Sequence, residues 1–145
     1  MESENRRRPS ELLKRGYSEE ELANIYELGR FCLENGDFRR AEVIFNGVTA
    51  VAPDFAPAWL GKAYLHTQGR NFDEAVEASR QALRVEPDSV VAMLFLVTSL
   101  LTVGDYNSAG TYLGEVSERM ESANLHPNVV RFFKAQLARF QTRRK

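Results

Sequence analysis

At 145 residues the chain is one domain's worth of polypeptide, enough for a continuous core but not for a core plus a separate catalytic domain. Hydrophobic residues make up 43% and charged residues 27%, and the net charge of −1 leaves no global field pointing to nucleic acid or to an acidic membrane. The single cysteine, Cys32, excludes an internal disulfide. With no apolar run of about eighteen residues and no signal-peptide pattern, the expected location is the cytoplasm, without membrane insertion.

Residues 1–17 read as a tail, with Arg6-Arg7-Arg8 solvated, and a short helix that Ser10 caps, that runs through Leu12 and Leu13, and that Gly16 stops. Ser18 and Glu21 then form an S-x-x-E capping box that opens the first full helix, where Leu22, Ile25, Leu28, Gly29 and Cys32 make an amphipathic stripe. A second helix is expected from about Phe38 to Val51, ended by Pro53. The third carries Pro57 in its first turn, followed by Trp59, Leu60, Ala63 and Tyr64. The fourth runs from about Phe72 to Val85 and stops at Pro87. Asp88 or Ser89 caps a fifth helix that is apolar nearly all round, and the sixth spans about Tyr106 to Met120. After the turn Asn124-Leu125-His126-Pro127, a last helix lined by Val129, Val130, Phe133, Leu137 and Phe140 is the expected lid, followed by the basic end Arg143-Arg144-Lys145.

These elements repeat every 34 residues. Phe38, Phe72 and Tyr106 stand in register, as do Ala41, Ala75 and Ala109, and Pro53 with Pro87. Gly36 and Gly104 fall where a helix ends and the chain reverses, a place for left-handed backbone. In the middle copy Gly69 comes one place early and Arg70 takes the slot, so that loop is expected to be slightly remodelled. Asp37, Asn71 and Asp105 are the expected N-caps of the helices that follow, each with an aromatic wedging the turn. The pattern predicts an all-α solenoid of three helix-turn-helix units, about 18–53, 54–87 and 88–123, with residues 124–145 as capping helix and basic tail.

With Trp59 matched by Ile25 and Met93, the pair Leu28-Gly29, the alanine and aromatic triplets and the two prolines, the chain resembles the tetratricopeptide repeat family over roughly Ser18 to Glu121. The resemblance implies a right-handed superhelix whose first helices line a concave groove for a protein or peptide. More narrowly, three repeats between a short N-terminal helix and a C-terminal lid resemble small type III secretion chaperones. The stretch from Gly16 to Tyr26 is similar to the lead-in of the translocator-binding class, and the apparatus-assembly class shares the layout. That resemblance implies a virulence-associated chaperone that sequesters an apolar segment of an export substrate or apparatus component. A generic scaffold subunit of a larger complex, working through its convex face or lid, is the alternative.

Residues packed inside a repeat recur as Ile25/Trp59/Met93, Gly29/Ala63/Val97 and Cys32/His66/Leu100. The neighbouring stripe, expected to face the groove, is Tyr26/Leu60/Leu94, Arg30/Tyr64/Thr98 and Leu33/Thr67/Leu101. Mostly apolar and aromatic, it suits an apolar or amphipathic segment. It lacks the lysines and asparagines that would clamp a C-terminal carboxylate, which argues against a heat-shock-protein adaptor. Leu94, Phe95 and Leu101 have a second reading, as packing for the lid, the N-terminal segment or a homodimer. Arg30 suits a partner's backbone or acid, or plain solvation.

His66 and His126 lack ligand partners at metal spacing. His66 reads as a satisfied buried histidine, and Cys32 as a small hydrophobe. Carboxylates sit at helix starts, and phosphate loops are absent. No enzyme, cofactor, metal or nucleic-acid partner is implied.

Overall fold

Local capping chemistry sets where the helices begin. The computed structural model describes residues 16–143, so the expected short helix around Leu12 and Leu13, Arg6 to Arg8, and the terminal Arg144-Lys145 lie outside the described residues. Helix α1 (Glu19–Glu34) opens on the complete capping box: Ser18 Oγ accepts from the Glu21 N–H at 3.1 Å, and the Ser18 N–H donates to Glu21 Oε1 at 2.9 Å. Helices α2 (Phe38–Val51) and α6 (Tyr106–Ser122) are capped by Asp37 and Asp105, which accept from the backbone N–H of Arg40 at 3.3 Å and of Ser108 at 3.2 Å. Between them, α3 spans Ala56–Gln68, α4 spans Phe72–Val85, and α5 (Val90–Val103) is capped by Ser89 rather than Asp88. Helix α7 (Pro127–Gln141) starts on His126, whose Nδ1 accepts from the Asn128 N–H at 3.0 Å.

Asn71 departs from expectation and makes no side-chain cap bond. Its Nδ2 is turned back toward Gly69, 3.4 Å from where a Cβ on that glycine would stand. The middle turn is also not remodelled. Arg70 itself adopts the left-handed conformation at φ 62°, in step with Gly36 at 80° and Gly104 at 91°. The same two bonds then close all three turns. One set runs Asp37 N–H to Cys32 O at 2.8 Å, Asn71 N–H to His66 O at 2.8 Å and Asp105 N–H to Leu100 O at 2.9 Å. The other runs Gly36 to Leu33, Arg70 to Thr67 and Gly104 to Leu101. This is the Schellman closure of a helix end, and its hydrogen bonds hold an arginine where glycine is the easy residue.

The aromatics after the caps sit at the surface rather than wedging the turns. Phe38 and Tyr106 are exposed and Phe72 is half-buried, with the Arg70 guanidinium 5.6 Å from the Phe72 ring and that of Arg143 5.8 Å from Tyr106. The small residues behave as expected: Ala41, Ala75 and Ala109 are fully enclosed where paired helices meet.

Three antiparallel hairpins, α1–α2, α3–α4 and α5–α6, stack in chain order as an all-α tetratricopeptide-type solenoid, with no strand among the described residues. One core gathers Leu22, Leu33, Phe45, Val48 and Leu65; the other gathers Met93, Leu96, Val97, Leu100, Leu113, Val116 and Phe133. Helix α5 is apolar nearly all round because α4, α6 and α7 all pack on it. Helix α7 closes the stack, burying Phe133 and pressing the Phe140 ring against Gly110, where a Cβ would stand 3.0 Å from Cζ.

Candidate concave-face site

The first helices of the hairpins, α1, α3 and α5, touch one another along the concave side. Between them these helices leave an open cavity of about 410 Å³, lined by Tyr26, Arg30, Leu33, Leu60, Tyr64 and Phe95, with Glu34, Gly61 and Val91 completing the wall. Five of the nine sequence-derived groove residues are therefore brought together there: Tyr26, Arg30, Leu33, Leu60 and Tyr64. Leu33 is mostly sunk into the core and shows the cavity one side of its chain.

The other four lie elsewhere. Thr67 is half-buried, and its hydroxyl donates to the Ala63 carbonyl at 2.7 Å. Thr98 likewise donates to Leu94 O at 2.9 Å, while its own carbonyl accepts from Arg139 Nη1 of the lid. Leu94 at 0% and Leu101 at 6% exposure are enclosed in the second core, so they face no groove. The physical reason is α7: Arg139 also donates to Thr102 Oγ1 at 3.0 Å, and Phe132 sets its ring 5.5 Å from Phe95. The lid thus packs along α5 and α6 and covers this part of the third repeat. Val91 and Phe95 take the place that Leu94 and Thr98 were expected to hold. An all-apolar helix gives its phase no sequence signal; the aromatic ring of Phe95 beside the expected stripe was the available hint.

The cavity floor is aromatic. Tyr26 lies 5.8 Å from the Phe45 ring and 5.7 Å from Phe55, and Tyr64 lies 6.1 Å edge-on to Phe95, which continues the run to Phe132. Burial pushes the Tyr26 phenol above its ordinary 10.0; Arg30 opposes the shift and Glu27 and Glu34 add to it. The phenol therefore stays a neutral hydrogen-bond group at physiological pH. Arg30 Nε lies 3.5 Å from both Glu27 Oε1 and Glu34 Oε2, so its charge is balanced within α1.

His66 is buried as expected, but Nδ1 has no hydrogen-bond partner, so it is not a satisfied histidine. Burial lowers its basicity, against the pull of Glu42 and Glu74, with nearby Lys62 adding to the lowering. Cys32 is free and half-buried. Among the described residues no group of three His, Cys, Asp or Glu side chains could hold a metal ion, and no helix is long and apolar enough to cross a membrane.

Residues 26–89 match a family model described as tetratricopeptide repeat. A 96-residue stretch is 29% identical to the peroxisomal targeting signal receptor of Saccharomyces cerevisiae, covering 66% of this chain and 16% of the receptor. The match thus spans about a sixth of that relative's length. In three dimensions the chain is similar to the TPR2B domain of yeast Sti1 in its pHsp70 complex, with a TM-score of 0.76, 20% identity, and 85% of this chain and 98% of that one covered. It is also similar to the Sgt2 TPR domain from Aspergillus fumigatus, with a TM-score of 0.70, 16% identity, and 83% and 80% covered. At these identities the structural likeness is one of fold. Residues 26–89 thus carry tetratricopeptide-repeat sequence, and the whole described chain has the fold of a tetratricopeptide-repeat solenoid.

Proposed function

We propose that the protein is a non-enzymatic binding module whose concave cavity takes up an apolar segment of another protein. The observation that carries this is the open aromatic wall of Tyr26, Leu60, Tyr64 and Phe95, whose one cation is already neutralised by its own helix. Such a wall favours large apolar side chains over acids, and burial there contributes roughly 25 cal/mol per Å² before ordering costs are deducted. The partner in this reading is a secretion component, either a translocator or an apparatus subunit, kept from aggregating in the cytoplasm before type III export. Three repeats, the lead-in from Gly16 to Tyr26 and a C-terminal lid support that assignment.

The test is co-purification with the native partner, followed by titration of the partner's apolar segment. Leu60→Glu and Tyr64→Glu should each abolish binding while helical content is unchanged. Full affinity in both variants would remove the cavity from the account. A scaffold working through its lid predicts instead that these substitutions are silent and that Lys134→Glu, on the exposed side of α7, breaks assembly.

A further inference from the structure

The repeat register lays out the charges that border the cavity. Arg30 corresponds to Tyr64 and then to Thr98, and Glu34 corresponds to Gln68 and then to Thr102. Along both rows α1 carries charge, while α3 and α5 carry none. At the α1 end two exposed carboxylates meet one guanidinium, with Arg30 Nε 3.5 Å from Glu27 Oε1 and 3.5 Å from Glu34 Oε2. One cation against two anions leaves a negative charge in surplus there. At the α5 end the rows finish on a cation from another element. Arg139 of α7 donates to Thr98 O, to Thr102 Oγ1 at 3.0 Å and to Gln136 Oε1 at 2.9 Å. These acceptors are all neutral, and among the described residues no carboxylate stands within ion-pair reach of Arg139. Its charge is therefore a positive surplus. Phe95, which ends the cavity wall, lies one turn before Thr98, so this surplus borders the cavity.

We propose that the segment taken up by the cavity is extended and charge-polarised: an apolar middle flanked by a lysine or arginine toward α1 and by an aspartate or glutamate toward α7. This rests on the cavity being the partner's seat, as proposed above. The two surpluses lie two helix spacings apart, about 20 Å, so in an extended chain the flanking charges stand about six residues apart. An apolar wall alone accepts a greasy segment in either direction. Opposite charges at its two ends favour one direction and penalise a segment whose flanks are alike in sign. Glu27, Glu34 and Arg139 are all exposed, so each contact is partly screened and the selectivity is modest.

The experiment is calorimetric titration of the full chain with short synthetic peptides, acetylated and amidated so that their termini carry no charge. All share a middle of leucine, phenylalanine and alanine and differ only in the two flanking residues: lysine with glutamate in either order, two lysines, two glutamates, or two glutamines. The better mixed peptide should bind about three- to fivefold tighter than the glutamine peptide at low salt, and both like-charged peptides should bind more weakly than the mixed one. The advantage should vanish at about 1 M salt, where screening acts within about 3 Å. Glu27→Gln/Glu34→Gln leaves Arg30 unopposed and should turn the preference to the two-glutamate peptide. Arg139→Gln should bring the two-lysine peptide level with the mixed one. Helicity should be unchanged in both variants, since the replaced side chains are exposed. Equal binding of all peptides by the wild type would overturn the charge pattern and leave the cavity in place, as would a ranking unaltered in Glu27→Gln/Glu34→Gln. Binding of none of them, or binding indifferent to Leu60→Glu, would overturn the cavity reading and this proposal with it.

Discussion

The ring of Phe45 fills the space in which a side chain on Gly61 would begin: a Cβ there would stand 2.7 Å from Phe45 Cζ. On its other side the same ring meets Gly29, where a Cβ would come within 2.7 Å of Cε1. One fully enclosed phenylalanine of α2 thus joins α1 to α3, the hairpin of one repeat to the start of the next. Gly61→Ala should therefore destabilise the protein. Overpacking costs about 1–3 kcal/mol, and the better helix propensity of alanine returns less than about 1 kcal/mol. Urea unfolding should show a lower midpoint for this variant and none for Gly47→Ala, where nothing stands within 4 Å.

Arg70 is held at φ 62°, a region that costs a side chain about 1–2 kcal/mol. Arg70→Gly should raise stability by about 0.5 kcal/mol. The relief is partly offset by the freer unfolded chain and by loss of the guanidinium over Phe72. A thermal melt displaced upward by a few degrees is the expected reading.

His66 titrates below its ordinary 6.5 in the folded chain, chiefly because it is buried. In the unfolded chain it binds its proton first, so the sign follows directly. The stability held by neutral His66 is complete above about pH 6.5 and declines as pH falls toward the lower, folded value. Denaturant midpoints measured between pH 7 and pH 5.5 should fall for the wild type and fall less for His66→Gln.

The lid should be held by burial and not by its charges. Phe133→Ala removes a buried ring and should cost about 3–4 kcal/mol. Arg139→Ala removes exposed hydrogen bonds to Thr98 and Thr102 and should cost under about 1 kcal/mol. Urea titration of both variants makes the comparison.

The helices and their order were legible in the sequence because their signals are local. Ser18 with Glu21, Asp37, Asp105 and Pro57 all act within a turn of themselves. The inner stripe was legible for α1 and α3, whose polar faces fix their phase, and Tyr26, Arg30, Leu60 and Tyr64 do line one cavity. It failed on α5, where every face is apolar and the position of α7 decides what is covered; Leu94 and Leu101 went inward for that reason. Arg70 was misjudged because the hydrogen bonds closing a helix end can hold a residue against its own preference. The role of Gly61 was hidden because it depends on a ring sixteen positions earlier in the chain.

The seating of α7 on the third repeat backs the inner cavity at Phe95, whose ring meets Phe132 of the lid. Crossing from α1 to α5 takes two helix spacings, about 20 Å, which an extended strand covers in roughly six residues. In the proposed reading the lid therefore sets a ruler, limiting the stretch of partner polypeptide taken up to the cavity that ends at Phe95.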